Sequence, residues 1–135
     1  MQHVVAVLDT SALIRYASGA PALLGRGARR FLRRVELRGS KVAVPTVCLF
    51  EVAQLEERGR VDLGLSFDRW CQLVEDSPPL LLLSLERAHV AEARALSLLR
   101  DPFDRLIAGT AVALGVPLVS SDARITNSGR LKVIW

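Results

Sequence analysis

Near its start the chain reads Val4-Val5-Ala6-Val7-Leu8-Asp9-Thr10-Ser11, a short apolar run followed by a carboxylate and two hydroxyl residues. The run lacks helical periodicity and predicts a buried β-strand over residues 3–8. The hydroxyls of Thr10 and Ser11 are suited to capping a helix over residues 12–17. A strand that passes into a helix at a charged residue is therefore the first structural unit that the sequence predicts.

The same alternation of strand and helix continues along the chain. Short apolar runs predict further strands over residues 41–45, 80–83, 116–119 and 131–135. Apolar residues at three- and four-residue steps predict longer helices over residues 22–38, 47–58, 64–75, 86–99 and 103–114. This alternation favours an α/β fold in which a parallel sheet of about five strands is covered by helices on both faces. At 135 residues, the sequence is expected to form one domain over residues 1–135.

Composition excludes several classes of protein. Hydrophobic residues make up 50% of the sequence, which disfavours intrinsic disorder. No apolar run approaches the length of a membrane-spanning helix, and the first residues lack the pattern of a signal peptide, so we expect a cytoplasmic protein without a membrane partner. Cys48 and Cys71 are far apart in sequence and predict two buried thiols rather than a disulfide or a metal site.

Four acidic residues stand beside different structural signals. Asp9 ends the first strand, Glu51 lies one turn into the helix that follows residues 41–45, and Asp122 follows residues 116–119. Because parallel strands end at one edge of the sheet, we expect these three there; the position of Asp104, at the start of a helix, depends more on the fold. Clustered carboxylates repel one another, and a hard divalent cation relieves that repulsion. The pattern predicts a site for Mg²⁺ or Mn²⁺.

Each acid also has an interpretation that involves no metal. Asp9 could cap a helix, Asp104 could complement a helix dipole, and Asp122 could be a turn residue. Asp101 precedes a proline and is expected to cap the helix start rather than to bind metal. Glu51 has apolar neighbours on both sides and fits a surface position less well. The metal hypothesis therefore rests on the set of four and not on any one residue.

The overall charge points to a polyanionic partner. Eighteen basic residues against 14 acidic ones give a net charge of +4, so positive charge must lie away from the acidic set. The helix predicted over residues 22–38 carries arginines along one side: Arg26, Arg29, Arg30, Arg33 and Arg34. These side chains could contact RNA phosphates without reading sequence; a solvated helix face is an equal alternative.

Taken in order, four motifs resemble those of the PIN-domain ribonucleases, and in particular the VapC-type toxins of prokaryotic toxin–antitoxin pairs. They are Leu8-Asp9-Thr10-Ser11-Ala12-Leu13, Phe50-Glu51-Val52-Ala53, Asp101-Pro102-Phe103-Asp104-Arg105-Leu106-Ile107-Ala108 and Leu118-Val119-Ser120-Ser121-Asp122-Ala123-Arg124-Ile125. The resemblance covers essentially the whole chain. It implies a three-layer α/β/α sandwich with a central parallel sheet, and Mg²⁺- or Mn²⁺-dependent endonuclease action on RNA.

The resemblance also implies roles for individual residues. The catalytic and metal-binding acids of the family fall on Asp9, Glu51, Asp104 and Asp122. We expect Asp9 and Asp104 to be direct ligands, and Glu51 and Asp122 to act through water or to orient the nucleophile. The supporting hydroxyl of the family falls on Ser120.

Other positions are expected to support the site or depart from the family pattern. Thr10 and Ser11 are candidates for supporting hydrogen bonds, and Asp101 is expected outside the direct ligands. Leu99 stands where many relatives of this variant carry histidine, and Gly109 stands where many carry glutamine or alanine. Neither departure touches an expected ligand, but helix packing or substrate fit near Gly109 is open to question.

Partners follow from the same resemblance. VapC-type proteins act on RNA, usually form homodimers and are inhibited by a small cognate antitoxin. Apolar residues of the first two helices are expected either to supply a dimer face or antitoxin groove, or to cover the sheet: Leu13, Ile14, Tyr16, Leu23 and Leu24.

Two other functions remain as alternatives. One is a catalytically silent PIN-like module that holds RNA or a protein partner. The other is a phosphatase of the haloacid dehalogenase type, which the sequence disfavours because Ser11 stands where that family has a second aspartate and Lys132 lies in the last strand. Neither His3 nor His89 is expected to carry chemistry.

Overall fold

The computed structural model describes residues 3–126 and 128–135. Five strands form one sheet in the order β3-β2-β1-β4-β5, and each neighbouring pair is parallel. The strands are β1 Val4–Leu8, β2 Lys41–Pro45, β3 Leu80–Leu83, β4 Leu118–Val119 and β5 Val133–Ile134. The predicted parallel sheet of five strands is confirmed.

Helices connect the strands and cover them. They are α1 Thr10–Ala17, α2 Arg26–Arg38, α3 Thr46–Glu57, α4 Phe67–Asp76, α5 Arg87–Arg94, α6 Pro102–Leu114 and α7 Ala123–Thr126, with a short 3₁₀ helix at Pro21–Leu23. Three consecutive residues of β1, Ala6, Val7 and Leu8, are fully buried. Because successive strand residues point to opposite faces, both faces of the central strand must be covered. The three-layer α/β/α sandwich is therefore confirmed.

Several predicted boundaries were wrong because tertiary packing overrides local pattern. The helix predicted over residues 22–38 begins only at Arg26, since Leu24 adopts an extended backbone and is buried in the core. The helix predicted over residues 86–99 ends at Arg94, and Leu96 and Leu99 enter the core from irregular backbone. Asp122 lies in irregular backbone after β4, and the short helix α7 that follows it was not predicted.

The seam between α5 and α6 explains why glycine stands at position 109. A Cβ atom built on Gly109 would lie 2.7 Å from both the backbone nitrogen of Ala93 and the carbonyl oxygen of His89. Side chains larger than hydrogen are therefore excluded unless the two helices separate. The departure from the family pattern at Gly109 is a matter of helix packing, and the departure at Leu99 places an apolar side chain in the core.

One smaller expectation needs correction. Cys48 is buried as predicted, whereas Cys71 is only partly buried, and both are free thiols. His89 is buried, and its Nδ1 accepts a hydrogen bond of 3.1 Å from the backbone N–H of Glu86 at the start of α5. Among the described residues, none of the helices combines the length and apolar character needed to cross a membrane.

Candidate active site

Asp9 joins the first strand to the first helix. Its backbone N–H donates to the Val119 carbonyl at 3.1 Å, and its Oδ1 accepts from the Ala12 N–H at 2.8 Å. Asp9, rather than Thr10 or Ser11, is thus the N-cap of α1, and Thr10 lies within the helix. Burial raises the pKa of Asp9, and the Asp122 charge raises it further, against hydrogen bonds from Ser120 and Ala12 and the charge of Arg15.

Glu51 reaches toward the same edge from α3. The buried hydroxyl of Thr10 donates a hydrogen bond to Glu51 Oε1, which ties α3 to the start of α1. Burial raises the pKa of Glu51, as do the negative charges of Asp101 and Asp9, whereas the bond from Thr10 lowers it. The Glu51 carboxylate is therefore held in place by a neighbour of Asp9.

Asp104 lies in the first turn of α6. Asp101 caps this helix as predicted, because its Oδ1 accepts from the Asp104 N–H at 3.0 Å. Burial, followed by the charges of Asp101, Asp122 and Glu51, raises the pKa of Asp104 to about 6. The fold therefore brings Asp104 within the electrostatic reach of acids that precede and follow it in the sequence.

Asp122 follows β4 and is held differently. The buried Ser120 hydroxyl accepts from the Asp122 N–H at 3.0 Å, which fixes the backbone after the strand. Asp122 Oδ1 accepts from Arg124 Nε at 3.1 Å, and Oδ2 accepts from Arg124 Nη2 at 2.9 Å. These bonds lower the pKa of Asp122.

Arg124 also reaches the next acid of the cluster. Its Nη2 lies 3.6 Å from Asp104 Oδ2, so that one guanidinium spans two carboxylates. The sequence reasoning missed this role. Its position two residues after Asp122 could have indicated the contact, since the side chain of an aspartate in a turn often accepts a hydrogen bond from the backbone two residues on.

The four predicted acids are therefore electrostatic neighbours contributed by four separate parts of the chain. Among residues 3–126 and 128–135, however, no three histidine, cysteine, aspartate or glutamate side chains are placed closely enough to hold one metal ion together. Like charges in a poorly solvated place stay apart unless a cation lies between them. In this arrangement Arg124 serves that purpose for Asp104 and Asp122.

The chemistry of the donor set fits a hard divalent cation. Carboxylate oxygens from Asp9, Glu51, Asp104 and Asp122 are the ligand type that Mg²⁺ and Mn²⁺ prefer. The pKa values of Asp9, Glu51 and Asp104 are all raised in part by negative neighbours, which is the condition that a bound cation relieves. The Thr10 hydroxyl donates to the Glu51 carboxylate, and a hydrogen bond from Ser120 lowers the pKa of Asp9.

A crevice opens beside Glu51. It has a volume of about 270 Å³ and is lined by Thr10, Ser11, Arg15 and Glu51 together with apolar residues of α1, α3 and the segment after α3. Ser11 therefore faces this crevice, and the structure gives it no separate role. The guanidinium of Arg15 lies over the ring of Trp135, with its Cζ 5.2 Å from the ring centroid, a contact that sequence reasoning also missed.

The predicted arginine face of α2 is exposed along its length. Arg26, Arg29, Arg30, Arg33 and Arg34 all face solvent. Arg29 and Arg33 line a groove of about 770 Å³ whose other walls come from α1 and α4. This face is therefore accessible to a partner.

The apolar residues of the first two helices divide between core and surface. Leu13 and Leu24 are buried and belong to the core, so Leu13 is not available to a partner. Tyr16 lines the groove beside Arg29 and Arg33, whereas Leu23 is 65% exposed. Only part of this set covers the sheet, as the alternative interpretation proposed.

Known proteins share this fold and sequence pattern. Ribonuclease VapC22 from Mycobacterium tuberculosis is 29% identical over 121 residues, which is 90% of each chain. The structure of VapBC2 from Rickettsia felis bound to a DNA fragment from its promoter has a TM-score of 0.65 and 14% identity, over 96% of this chain and 97% of that chain. DNA-bound VapBC from Salmonella typhimurium has a TM-score of 0.66 and 19% identity, over 96% of each chain.

At these identities the two solved structures establish a shared fold. The family model described as PIN domain matches residues 6–131, nearly the whole sequence. The chain therefore belongs to the PIN-domain family.

Proposed function

We propose that this protein is a metal-dependent endoribonuclease that hydrolyses RNA phosphodiester bonds, with residues 1–135 acting as a single PIN domain. The observation that carries the proposal is the electrostatic cluster of Asp9, Glu51, Asp104 and Asp122, in which three carboxyl groups have raised pKa values. The mycobacterial relative described as a ribonuclease supports the same activity. Its RNA substrates would be met in the cytoplasm.

Each acid has a proposed role. Asp9 and Asp104 would hold Mg²⁺ or Mn²⁺ directly, and Glu51 and Asp122 would act through water or orient the attacking water. A divalent cation at this position supplies acidity to the water and neutralises the charge that develops on the phosphate. Asp104, with a pKa of about 6, is ionised at neutral pH and is then ready to bind a cation.

The supporting residues keep the carboxylates oriented. Ser120 and Thr10 would each donate a hydrogen bond to a carboxylate, Ser120 to Asp9 and Thr10 to Glu51. The cap at Asp101 fixes the first turn of α6, which carries Asp104. The side chains of Asp104 and Asp122 are 24% and 21% exposed, so both carboxylates remain within reach of solvent and of a cation. A proton leaving the attacking water would pass to a carboxylate of the cluster, the kind of proton acceptor that these four acids supply.

We further propose that the protein is the toxin of a type II toxin–antitoxin pair, with a cognate antitoxin and a homodimeric state. The solved structures of similar fold are described as VapBC complexes, which supports a protein partner. The exposed groove of about 770 Å³ between α1, α2 and α4 offers apolar walls and the arginines Arg29 and Arg33 to such a partner.

A second candidate is a catalytically silent PIN-like module that only holds RNA or protein. It is favoured by one observation, the pairing of Arg124 with Asp104 and Asp122, which satisfies two of the acids without a metal. Titration with Mn²⁺ separates the candidates, because the silent module would take up no cation at these acids.

Substitution of the expected direct ligands tests the catalytic proposal. Asp9→Asn and Asp104→Asn should each reduce Mg²⁺-dependent cleavage of RNA by more than about 100-fold, because neutral amides are weak ligands for a hard cation. Asp68→Asn, an exposed aspartate on α4, is the matched control and should cleave normally. Circular dichroism checks that each variant is folded, and undiminished cleavage in either variant would remove that residue from the site.

A further inference from the structure

An acidic site that cleaves RNA must admit a polyanion, so basic groups beside the acids are of special interest. Arg124 and Arg15 both act electrostatically on the candidate acids. Arg124 is paired with Asp122 and Asp104, whereas Arg15 forms no ion pair with a carboxylate in the part of the chain that the structure describes. Arg15 therefore keeps its donors available for a ligand.

The position of Arg15 is fixed by an aromatic ring. Its guanidinium Cζ lies 5.2 Å from the centroid of the Trp135 ring, a distance at which a cation is attracted to the face of the ring. A guanidinium stacked on one side still presents its edge, where the N–H donors match a phosphate group. The contact with the ring thus orients the N–H donors of Arg15 and leaves them free to bind a ligand.

Trp135 is itself held by close backbone packing. A Cβ atom on Gly25 would lie 2.6 Å from Trp135 Cδ1, and one on Gly27 would lie 2.5 Å from the Trp135 carbonyl oxygen. The absence of side chains at the start of α2 therefore lets this residue lie directly against the helix. The ring under Arg15 therefore packs against Gly25, the N-cap residue of α2.

Arg15 also lines the crevice that Thr10, Ser11 and Glu51 share. Arg15 and Thr10 are both on α1, whose N-cap is Asp9, so one short helix carries the basic group and the hydrogen-bond donor to the candidate site. An RNA strand lying in this crevice would therefore lie beside both Arg15 and the carboxylate of Glu51.

We propose that Arg15, held over the Trp135 ring beside the acidic cluster, contacts a backbone phosphate of the RNA strand next to the bond that is cut. Arg15 is then a substrate-contacting residue, and Trp135 is a positioning residue that acts through it. This inference rests on the proposed ribonuclease function. The arginines of α2 remain a separate surface, since none of them lines this crevice and Arg29 and Arg33 line the groove with α4 instead.

The test measures RNA binding in a background in which cleavage is blocked. Asp104→Asn protein would be titrated into a labelled single-stranded RNA of mixed sequence, with anisotropy as the readout over a range of salt concentrations. Arg15→Gln should weaken binding about tenfold and reduce the slope of log affinity against log salt by about 0.7, the value for one phosphate contact on a single strand. Arg15→Lys should keep the slope, because the charge remains.

Trp135→Leu should weaken binding by less than Arg15→Gln and leave the salt slope unchanged, since the charge is present but less well oriented. Arg69→Gln, which removes an exposed arginine on α4, is the matched control and should change neither quantity. With Asp104 intact, Arg15→Gln should raise KM more than it lowers kcat and should leave Mn²⁺ affinity within about twofold of the wild type. If the contact between Arg15 and Trp135 served only to stabilise the fold, Arg15→Gln would change thermal stability but not the salt slope.

The outcomes separate this inference from the function on which it rests. If Arg15→Gln matches Arg69→Gln in affinity and slope while the wild type still cleaves RNA, the inference is overturned and the proposed function stands. If the wild type neither binds nor cleaves RNA in the presence of Mn²⁺, both are overturned.

Discussion

Helix α6 belongs to two regions that differ in how well their polar and charged groups are paired. At its seam with α5, Arg105 Nε and Nη2 donate to the Ala93 carbonyl at 3.2 and 3.0 Å, and Gly109 permits close backbone packing. At its first turn, Asp104 faces three other acids, and Arg124 offers it a single contact at 3.6 Å. One helix thus carries an interface with paired polar groups on one side and, on the other, a charge cluster that Arg124 relieves only in part.

The difference separates stability from function. The seam pairs its polar groups and leaves no room for a side chain at position 109, as expected where packing is optimised. In the cluster, burial and the neighbouring negative charges raise the pKa values of carboxyl groups and so make their ionisation unfavourable. Because the fold does not need this loss of free energy, the cluster is better explained by function. Substitutions should therefore have opposite effects on stability in the two regions.

The largest effect on stability is expected at the seam. Gly109→Val should destabilise the protein by about 3 kcal/mol, because overpacking forces α5 and α6 apart. Ala113→Val, at an exposed position of the same helix, should cost only about 0.5 kcal/mol and serves as the control. Urea denaturation measures both, and equal losses in the two variants would show that the seam is not tightly packed.

The opposite sign is expected in the acidic cluster. Asp104→Asn should stabilise the metal-free protein by roughly 2 kcal/mol at neutral pH, because it removes a carboxylate whose ionisation is penalised in the folded state. Thermal unfolding in EDTA measures this gain. A loss of stability would mean that Asp104 is a structural residue and would remove the contrast with Gly109.

The gain should also depend on pH. Protonated Asp104 favours the folded state fully below its ordinary pKa of 3.8, and this contribution is lost as pH rises through about 6. The advantage of Asp104→Asn over the wild type should therefore be small at about pH 4 and should grow up to about pH 7. An advantage independent of pH would argue against ionisation as its cause.

A smaller effect, on metal affinity, is expected at Arg124, whose guanidinium pairs with Asp104 and Asp122. Arg124→Gln should tighten Mn²⁺ binding by about two- to fivefold, because an exposed ion pair competes only weakly for Asp104 and Asp122. Arg130→Gln, which removes an arginine paired with Glu92 instead, is the control. Weaker Mn²⁺ binding in Arg124→Gln alone would show that Arg124 supports the cation site rather than competing for it.

The sequence was sufficient for the sheet and for the candidate acids because both depend on local pattern. Apolar runs such as Val4–Leu8 are short and lack the periodicity of a helix. An acid that directly follows a parallel strand lies at the edge of the sheet where the carboxyl ends of the strands meet. Helix ends were less predictable. Leu24, Leu96 and Leu99 leave helical geometry to fill the core, which is a requirement of tertiary packing that no local propensity encodes.

Contacts between distant residues were out of reach. Arg15 meets Trp135 only because β5 lies at the sheet edge beside α2, and the glycines at positions 25 and 27 gave no sign of what they admit. The close approach of α5 at Gly109 was likewise visible only in three dimensions. Cys71 was expected in the core from its residue type, but its position on α4 leaves it partly exposed.

The central proposal is that a divalent cation binds at the cluster of Asp9, Glu51, Asp104 and Asp122, with Asp9 and Asp104 as its direct ligands. Calorimetric titration of Mn²⁺ into the wild type, Asp9→Asn and Asp104→Asn at about pH 7.5 and about pH 5 tests it most directly. The wild type should take up Mn²⁺ at the higher pH, more weakly at the lower pH as Asp104 becomes protonated, and both variants should lose this uptake. Absence of binding in the wild type, or equal binding in all three proteins, would contradict the account.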